Sequence, residues 1–99
     1  MEIKIEKVGK SLTVKLKGRL DTSTSPKLEN ELKTALHDIE RLIFDLSDLE
    51  YISSAGLRVL LAAQKTMHKL GDMVVLGANK DILEIFDVTG FSAVLNIIR

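Results

Sequence analysis

Two adjacent serines and a glycine, Ser53, Ser54 and Gly56, stand directly ahead of a leucine-rich run in the segment YISSAGLRVLLAAQ (51–64). Hydroxyls in such a place can do three kinds of chemistry. A serine can cap a helix by accepting a hydrogen bond from a free N–H of the first turn, a contribution of about 1 kcal/mol. It can act as a nucleophile. It can also be modified by another protein, because a helix start presents it outward with the positive end of the helix dipole behind it. A cap needs only one serine and does not account for Gly56. Glycine within a helix costs up to about 1 kcal/mol relative to alanine, so something else should favour a small residue, and close approach by another backbone or by a partner surface is one physical reason.

The nucleophile reading lacks its supporting residues. A hydrolase elbow reads G-x-S-x-G, and Ile52 occupies the place of the first glycine. The only histidines are His37 and His68. His68 falls 14 residues beyond Ser54 on the same predicted helix, roughly 20 Å along its axis. His37, at the end of the preceding helix, has no evident orienting acid. No H-x-x-x-H pair or acidic calcium loop suggests a metal site. The segment GANKD lacks the G-K-[ST] ending of a phosphate loop, and there is no G-x-G-x-x-G. Asp21, Asp45, Asp48 and Glu50 lie at predicted strand ends or in the approach to Ser54, where they can be turn formers or part of a binding face. No catalytic residue, metal ligand or cofactor is expected.

Composition narrows the partners. Fourteen basic residues balance fourteen acidic ones, with four aromatics and no cysteine. A neutral chain lacks the basic excess that neutralises phosphates, so nucleic acid is not the expected partner. Without cysteine there is no disulfide or thiol chemistry. The N-terminal MEIKIEKVGK has no apolar signal core, and no apolar run approaches the ~20 residues of a membrane span. The expectation is one cytoplasmic domain over residues 1–99, with no membrane partner.

The elements that must position the serines follow from periodicity. Ile3 and Ile5, then Leu12, Val14 and Leu16, alternate with polar residues across Gly9, which predicts a hairpin. Ser25 reads as an N-cap with Pro26 at the first helical position, and Leu28, Leu32, Ala35 and Leu36 place an amphipathic helix over 26–37. A buried strand is expected over 42–46 and a helix from Ser54 to about Leu70, stopped by Gly71. Leu57, Leu60, Leu61 and Met67 of that helix should face a sheet, and Arg58, Ala62, Lys65 and Lys69 should face solvent. A strand over 73–78, a short helix over 79–90 and a last strand over 93–98 complete the order β-β-α-β-α-β-α-β. The class is α/β, with a mixed, mainly parallel sheet, an antiparallel N-terminal hairpin and helices packed on it.

With these elements in place, LIFDLSDLEYISSAGLRVLL resembles the signature of the anti-sigma factor antagonists, the STAS-domain family: a strand ending D-L-S, a few residues, then an apolar residue and D-S-S-G-L or D-S-A-G-L. GRLDTSTSPKLENEL is similar to the family's G-x-L/I-D leading into its first helix. GDMVVLGANKDILEIFDVTGF is similar to its third block, a strand and then a helix ending at threonine or serine and glycine.

The resemblance implies a single STAS-type domain that binds an anti-sigma factor, itself an ATP-dependent serine kinase, and so releases a sigma factor. Phosphorylation would break that complex and a separate serine phosphatase would restore it. Gly56 and Leu57 anchor the register, which puts Ser54 on the phosphorylated serine. Ser53 stands where the family often has aspartate and becomes a second choice of acceptor. Asp21 matches the acid after the second strand, and Asp45 the acid of D-L-S. Asp21, Ser53, Ser54, Gly56 and Arg58 are the expected partner-binding residues. The sequence stops at NIIR where relatives continue into a final helix, so either the implied domain is without that helix or the sequence is shortened before it. The competing readings are a STAS-type scaffold or sensor subunit without phosphorylation control and, on fold class alone, a nucleotide-binding domain.

Overall fold

The alternation at the N-terminus becomes an antiparallel hairpin in the computed structural model, which describes all 99 residues. Strand β1 (Glu2–Val8) pairs with β2 (Ser11–Leu20), with Ile3 opposite Leu16 and Ile5 opposite Val14. Gly9, the first of the two loop residues, has φ 61°, a conformation that favours glycine in a tight hairpin. Then follow α1 (Ser25–Ala35), β3 (Arg41–Ile52), α2 (Ser54–Leu70), β4 (Asp72–Leu76), α3 (Lys80–Thr89), a 3-10 turn at Phe91–Ala93 and β5 (Ile97–Ile98).

The five strands lie in chain order, and β2 through β5 are mutually parallel. Right-handed crossovers between successive neighbours then put every helix on the same face of the sheet. Burial agrees with this. Leu12, Val14 and Leu16 of β2, Leu42, Phe44 and Leu46 of β3, and Met73 and Val75 of β4 are buried under the helices. The residues between them, among them Thr13, Ile43 and Val74, are only partly covered. One core of 22 buried hydrophobic residues joins the sheet to all three helices.

Four expectations from the sequence need correction. Strand β3 does not stop near Leu46 but runs on to Ile52. Its register against β2 slips twice, between Lys15 and Lys17 and between Gly18 and Arg19. Leu16 therefore faces both Leu46 and Ser47, and Glu50 is an extra residue. Each slip is a bulge. The buried positions change from 42, 44, 46 to 49, 52, and a period of two cannot follow that.

The first helix begins at Ser25 rather than being capped by it. Asp21 accepts from the N–H groups of Ser23 and Thr24 and organises the turn early. Ser25 is buried, with its hydroxyl donating to the Asp21 carbonyl. The last strand is only Ile97–Ile98. Gly90 ends α3 at φ 82°, and the Phe91 carbonyl then accepts from Val94 and Leu95 N–H, folding the expected strand start into a turn. Finally, Leu57, Leu60 and Met67 are buried, but Leu61 is only partly so. The buried arc of α2 centres on Gly56, Leu60, Ala63 and Met67 and leaves Leu61 on its flank.

Gly71 does end α2, for a steric reason. Its φ of 166° is ordinary extended backbone, but a Cβ there would stand 1.9 Å from the Glu40 carbonyl oxygen. That carbonyl accepts from Asp72 N–H at 3.0 Å, which brings the start of β4 against β3.

The rotation of α2 can be checked by denaturant melts. Leu60→Ala, at a fully buried position, is expected to cost ~2–5 kcal/mol. Leu61→Ala should cost clearly less, and Arg58→Ala under about 0.5 kcal/mol. An Arg58 variant as unstable as the Leu60 variant would place the wrong face against the sheet.

Candidate functional site

The site is built where β2 and β3 end together. Leu20 pairs with Ile52, and Ser53 N–H donates to the Leu20 carbonyl at 2.9 Å, so the ladder continues to the first residue of the turn into α2. At Ser53 the backbone is still extended, φ −96° and ψ 176°. Its Oγ accepts from Gly56 N–H at 3.4 Å and its carbonyl accepts from Leu57 N–H at 2.9 Å. Ser53 is therefore the N-cap.

Ser54 is the first residue of the helix and is exposed, and its hydroxyl makes no hydrogen bond within the chain. The first turn of α2 carries no acidic residue. The two serines thus differ sharply in circumstance although they are neighbours in sequence.

Gly56 departs from its expected place on the partner surface. It is buried, and a Cβ on it would meet Leu20 Cγ at 2.8 Å and Ile52 Cγ1 at 2.9 Å. The close approach that requires glycine comes from the chain's own β2 and β3, which press the helix start against the strand ends.

Arg58 is exposed one turn beyond Ser54. It lines a groove of about 370 Å³ between α1 and α2, with Thr22, Pro26, Glu29 and Ala55. Asp21 shapes the β2–α1 loop beside it. Its Oδ1 accepts from Ser23 Oγ at 2.8 Å, Ser23 N–H at 3.0 Å and Thr24 N–H at 3.1 Å. These bonds, led by the Ser23 hydroxyl, hold its carboxyl below the ordinary aspartate value.

Two residues that sequence reasoning passed over sit at the same end. The Arg19 guanidinium lies 4.4 Å from the centre of the Tyr51 ring, and its Nε is 3.9 Å from Asp21 Oδ2. Arg19 and Tyr51 become neighbours only after both bulges have shifted the register, so no spacing rule could have paired them. Together, Arg19, Asp21, Tyr51, Ser53, Ser54 and Arg58 occupy one rim of the sheet.

The remaining candidates lie elsewhere. Asp45 accepts from the N–H and hydroxyl of Ser47, at 3.0 and 2.6 Å, and those bonds hold its carboxyl low. Gly77 packs against this turn at φ 77°, where a Cβ would stand 2.8 Å from Ser47 N. The D-L-S segment thus secures the first bulge. Asp48 pairs with Lys15 at 3.4 Å, and six residues of extended chain, on the order of 15–20 Å, separate it from Ser54.

Helices α1 and α2 both run from the rim back toward the N-terminal ends of the parallel strands, and His37 and His68 follow or end them there. Neither imidazole can reach Ser54. No three His, Cys, Asp or Glu side chains are grouped to hold a metal. The largest depression, about 620 Å³, is lined by Lys10, Glu40, Arg41, Asp72 and their neighbours at the N-terminal ends of β3 and β4, far from the serines. What the rim offers is an exposed hydroxyl on a rigid mount, flanked by charge.

A sequence profile of the STAS domain matches residues 2–99. The chain belongs to the STAS domain family. Among named relatives, BtrV of Bordetella bronchiseptica, named as an anti-sigma factor antagonist, is 31% identical over 99 residues, covering 98% of this chain and 85% of its own. An anti-sigma factor antagonist from Mycobacterium paratuberculosis has the same fold, with a TM-score of 0.88 at 24% identity over 97% of this chain and 83% of that one. The anti-sigma factor antagonist SpoIIAA shares it too, at 16% identity over 99% of this chain. Its unphosphorylated form gives a TM-score of 0.79 over 88% of its length, and its phosphorylated form 0.77 over 92%.

Two measurements test this STAS-domain rim. Gly56→Ala should destabilise by ~1–3 kcal/mol through overpacking, and combining it with Leu20→Ala should restore part of the difference, since the clash is with Leu20. Equal, additive losses would mean that the contact is not the cause. In an NMR titration, Asp21 should protonate below the ordinary value near ~4. Because its folded-state value is lowered, its contribution to loop order is complete above that pH and is lost as pH falls through the folded value. Ser23→Ala should move the midpoint upward.

Proposed function

We propose that this STAS domain is an anti-sigma factor antagonist, a cytoplasmic binding protein without catalytic residues of its own. In its unphosphorylated state it holds an anti-sigma factor that is also a serine kinase, and so frees a sigma factor. Ser54 is the phosphate acceptor, with Ser53 as second choice, and the rim formed by Asp21, Ser53, Ser54 and Arg58 meets the partner. A separate serine phosphatase returns the phosphorylated chain to the binding state.

The observation that carries this reading is the different employment of the two serines. Ser53 is spent on the cap, whereas the Ser54 hydroxyl is exposed and unbonded. A kinase can take the second without undoing the helix. A phosphate on Ser54 adds about −1.5 to −2 charges at a helix N-terminus, where free N–H groups and the dipole favour an anion. Arg58, one turn along, adds a cation at helical i,i+4 spacing. The fold would persist while the surface reversed its charge.

The names of the relatives support antagonism of an anti-sigma factor. SpoIIAA, with the same fold, exists in phosphorylated and unphosphorylated forms that resemble this chain almost equally. The balanced charge of the chain and the absence of any helix long and apolar enough to cross a membrane fit a protein partner.

Phosphopeptide mapping after incubation with the cognate kinase and ATP tests the proposal. Label is expected on Ser54, and Ser54→Ala should stay bound to the kinase when ATP is added. Ser53→Ala should remain phosphorylatable, at a stability cost of about 1 kcal/mol or less for the lost cap. Binding with no label on either serine would identify a scaffold without phosphorylation control.

A further inference from the structure

We propose that the groove between α1 and α2 receives an acidic amphipathic helix of the partner protein. The inference rests on the antagonist reading and extends its contact surface from the rim down the length of α2. Below the Ser54 end, the groove continues as a cleft of about 310 Å³ floored by Leu32, Leu36, Val59 and Ala63. Glu29, Val59 and Ala62 line both stretches, so they form one channel. Small side chains at Ala55, Ala62 and Thr66 keep the α2 wall low along it. From Ala55 to Leu70 the helix spans about 22 Å, room for roughly four turns of a third helix.

The charge around the channel identifies the occupant. Helix α2 contains Arg58, Lys65, His68 and Lys69 and no aspartate or glutamate. Lys33, Arg58, Lys65 and Lys69 border the channel and its lower end, against the single carboxylate of Glu29. That carboxylate already faces Lys33 at 3.8 Å. Arg58, Lys65 and Lys69 have no carboxylate within salt-bridge distance. An apolar channel flanked by unpaired cations is complementary to a helix with an apolar stripe and carboxylates on its flanks. Ser54 stands at the head of this channel, beside Ala55 and Arg58. A phosphate there would repel the occupant's carboxylates and draw Arg58 away from them. The switch and the channel would then act on the same partner segment.

The probe is a fluorescent 16-residue helical peptide with leucines on one stripe and glutamates flanking it, with two comparators: the same peptide with lysine for every glutamate, and a scrambled isomer. Anisotropy should show saturable binding of the acidic peptide alone. Lys65→Glu with Lys69→Glu should weaken it by about tenfold or more, a typical loss for reversed complementary charges. Ala62→Arg, at an exposed position, should also weaken it by blocking the channel, and thermal melts of both variants should match the parent. Absence of saturable binding, or equal binding of all three peptides, overturns the proposal. Concentration-dependent self-association lost in the Lys65→Glu, Lys69→Glu variant, seen by sedimentation, would make a second copy the occupant and overturn it as well. Phosphoserine incorporated at position 54 should abolish peptide binding. Unchanged binding in that form would remove the coupling to Ser54 and leave the channel standing. A kinase complex that responds to Ser54 phosphorylation while the peptide never binds would remove the channel and leave the switch standing.

Discussion

The packing of the α2 start against the ends of β2 and β3 is the constraint on which the rest of this domain depends. One backbone bond, Ser53 N–H to the Leu20 carbonyl, fixes where the strand becomes a helix. The absence of a side chain at Gly56 lets Leu20 and Ile52 lie against the first turn. Burial of Leu57, Leu60 and Met67 then fixes the rotation of the helix about its axis. With position and rotation both determined, Ser54 and Arg58 must point outward. The exposed hydroxyl therefore follows from the way its neighbours are buried.

This arrangement explains how a small domain can carry a reversible modification. A charge added to a buried or strained position would be opposed by desolvation or by lost packing. Here it is added at a helix N-terminus, above a capped turn whose hydrogen bonds use Ser53 and leave Ser54 free. Loop order beside it comes from Asp21, which is engaged by Ser23 and Thr24 rather than by the serines. Each stabilising bond of the rim is made by a group other than the one proposed to change.

Much of this was legible in the sequence because local chemistry and tertiary packing agree there. The hairpin, the three helices, the parallel sheet and the cap-and-glycine pattern before the leucines all follow from period, turn residues and spacing. The upper half of β3 was not legible, since its bulges replace alternation with a spacing of three that no regular element has. The Arg19–Tyr51 stacking was not legible for the same reason. Gly56 was correctly marked as a point of close approach, but a single sequence cannot say whether a missing side chain makes room for a partner or for the chain itself. The start of α1 differs from the expectation because the Asp21 carboxylate organises the turn ahead of it, through Ser23 and Thr24 N–H, and no side chain caps the helix itself.

The two bulges of β3 also bear on how such a domain can change over time. They insert one residue each between Phe44 and Ile52, while β2 runs without interruption from Val14 to Leu20 and keeps Leu20 and its partner Ile52 on the core side. Removing Glu50, the extra residue of the second bulge, would leave Tyr51 opposite Arg19 and Ile52 opposite Leu20, so the helix start and its serines would stay where they are. Substitutions in this stretch are tolerable wherever a side chain is exposed, as at Asp48 and Glu50. Loss of one of the extra residues is tolerable too, because the ladder closes over it. The segment from Asp45 to Gly56 behaves as an expansion joint: its spare residues take up changes of length, while the paired positions at its ends hold the serines in place.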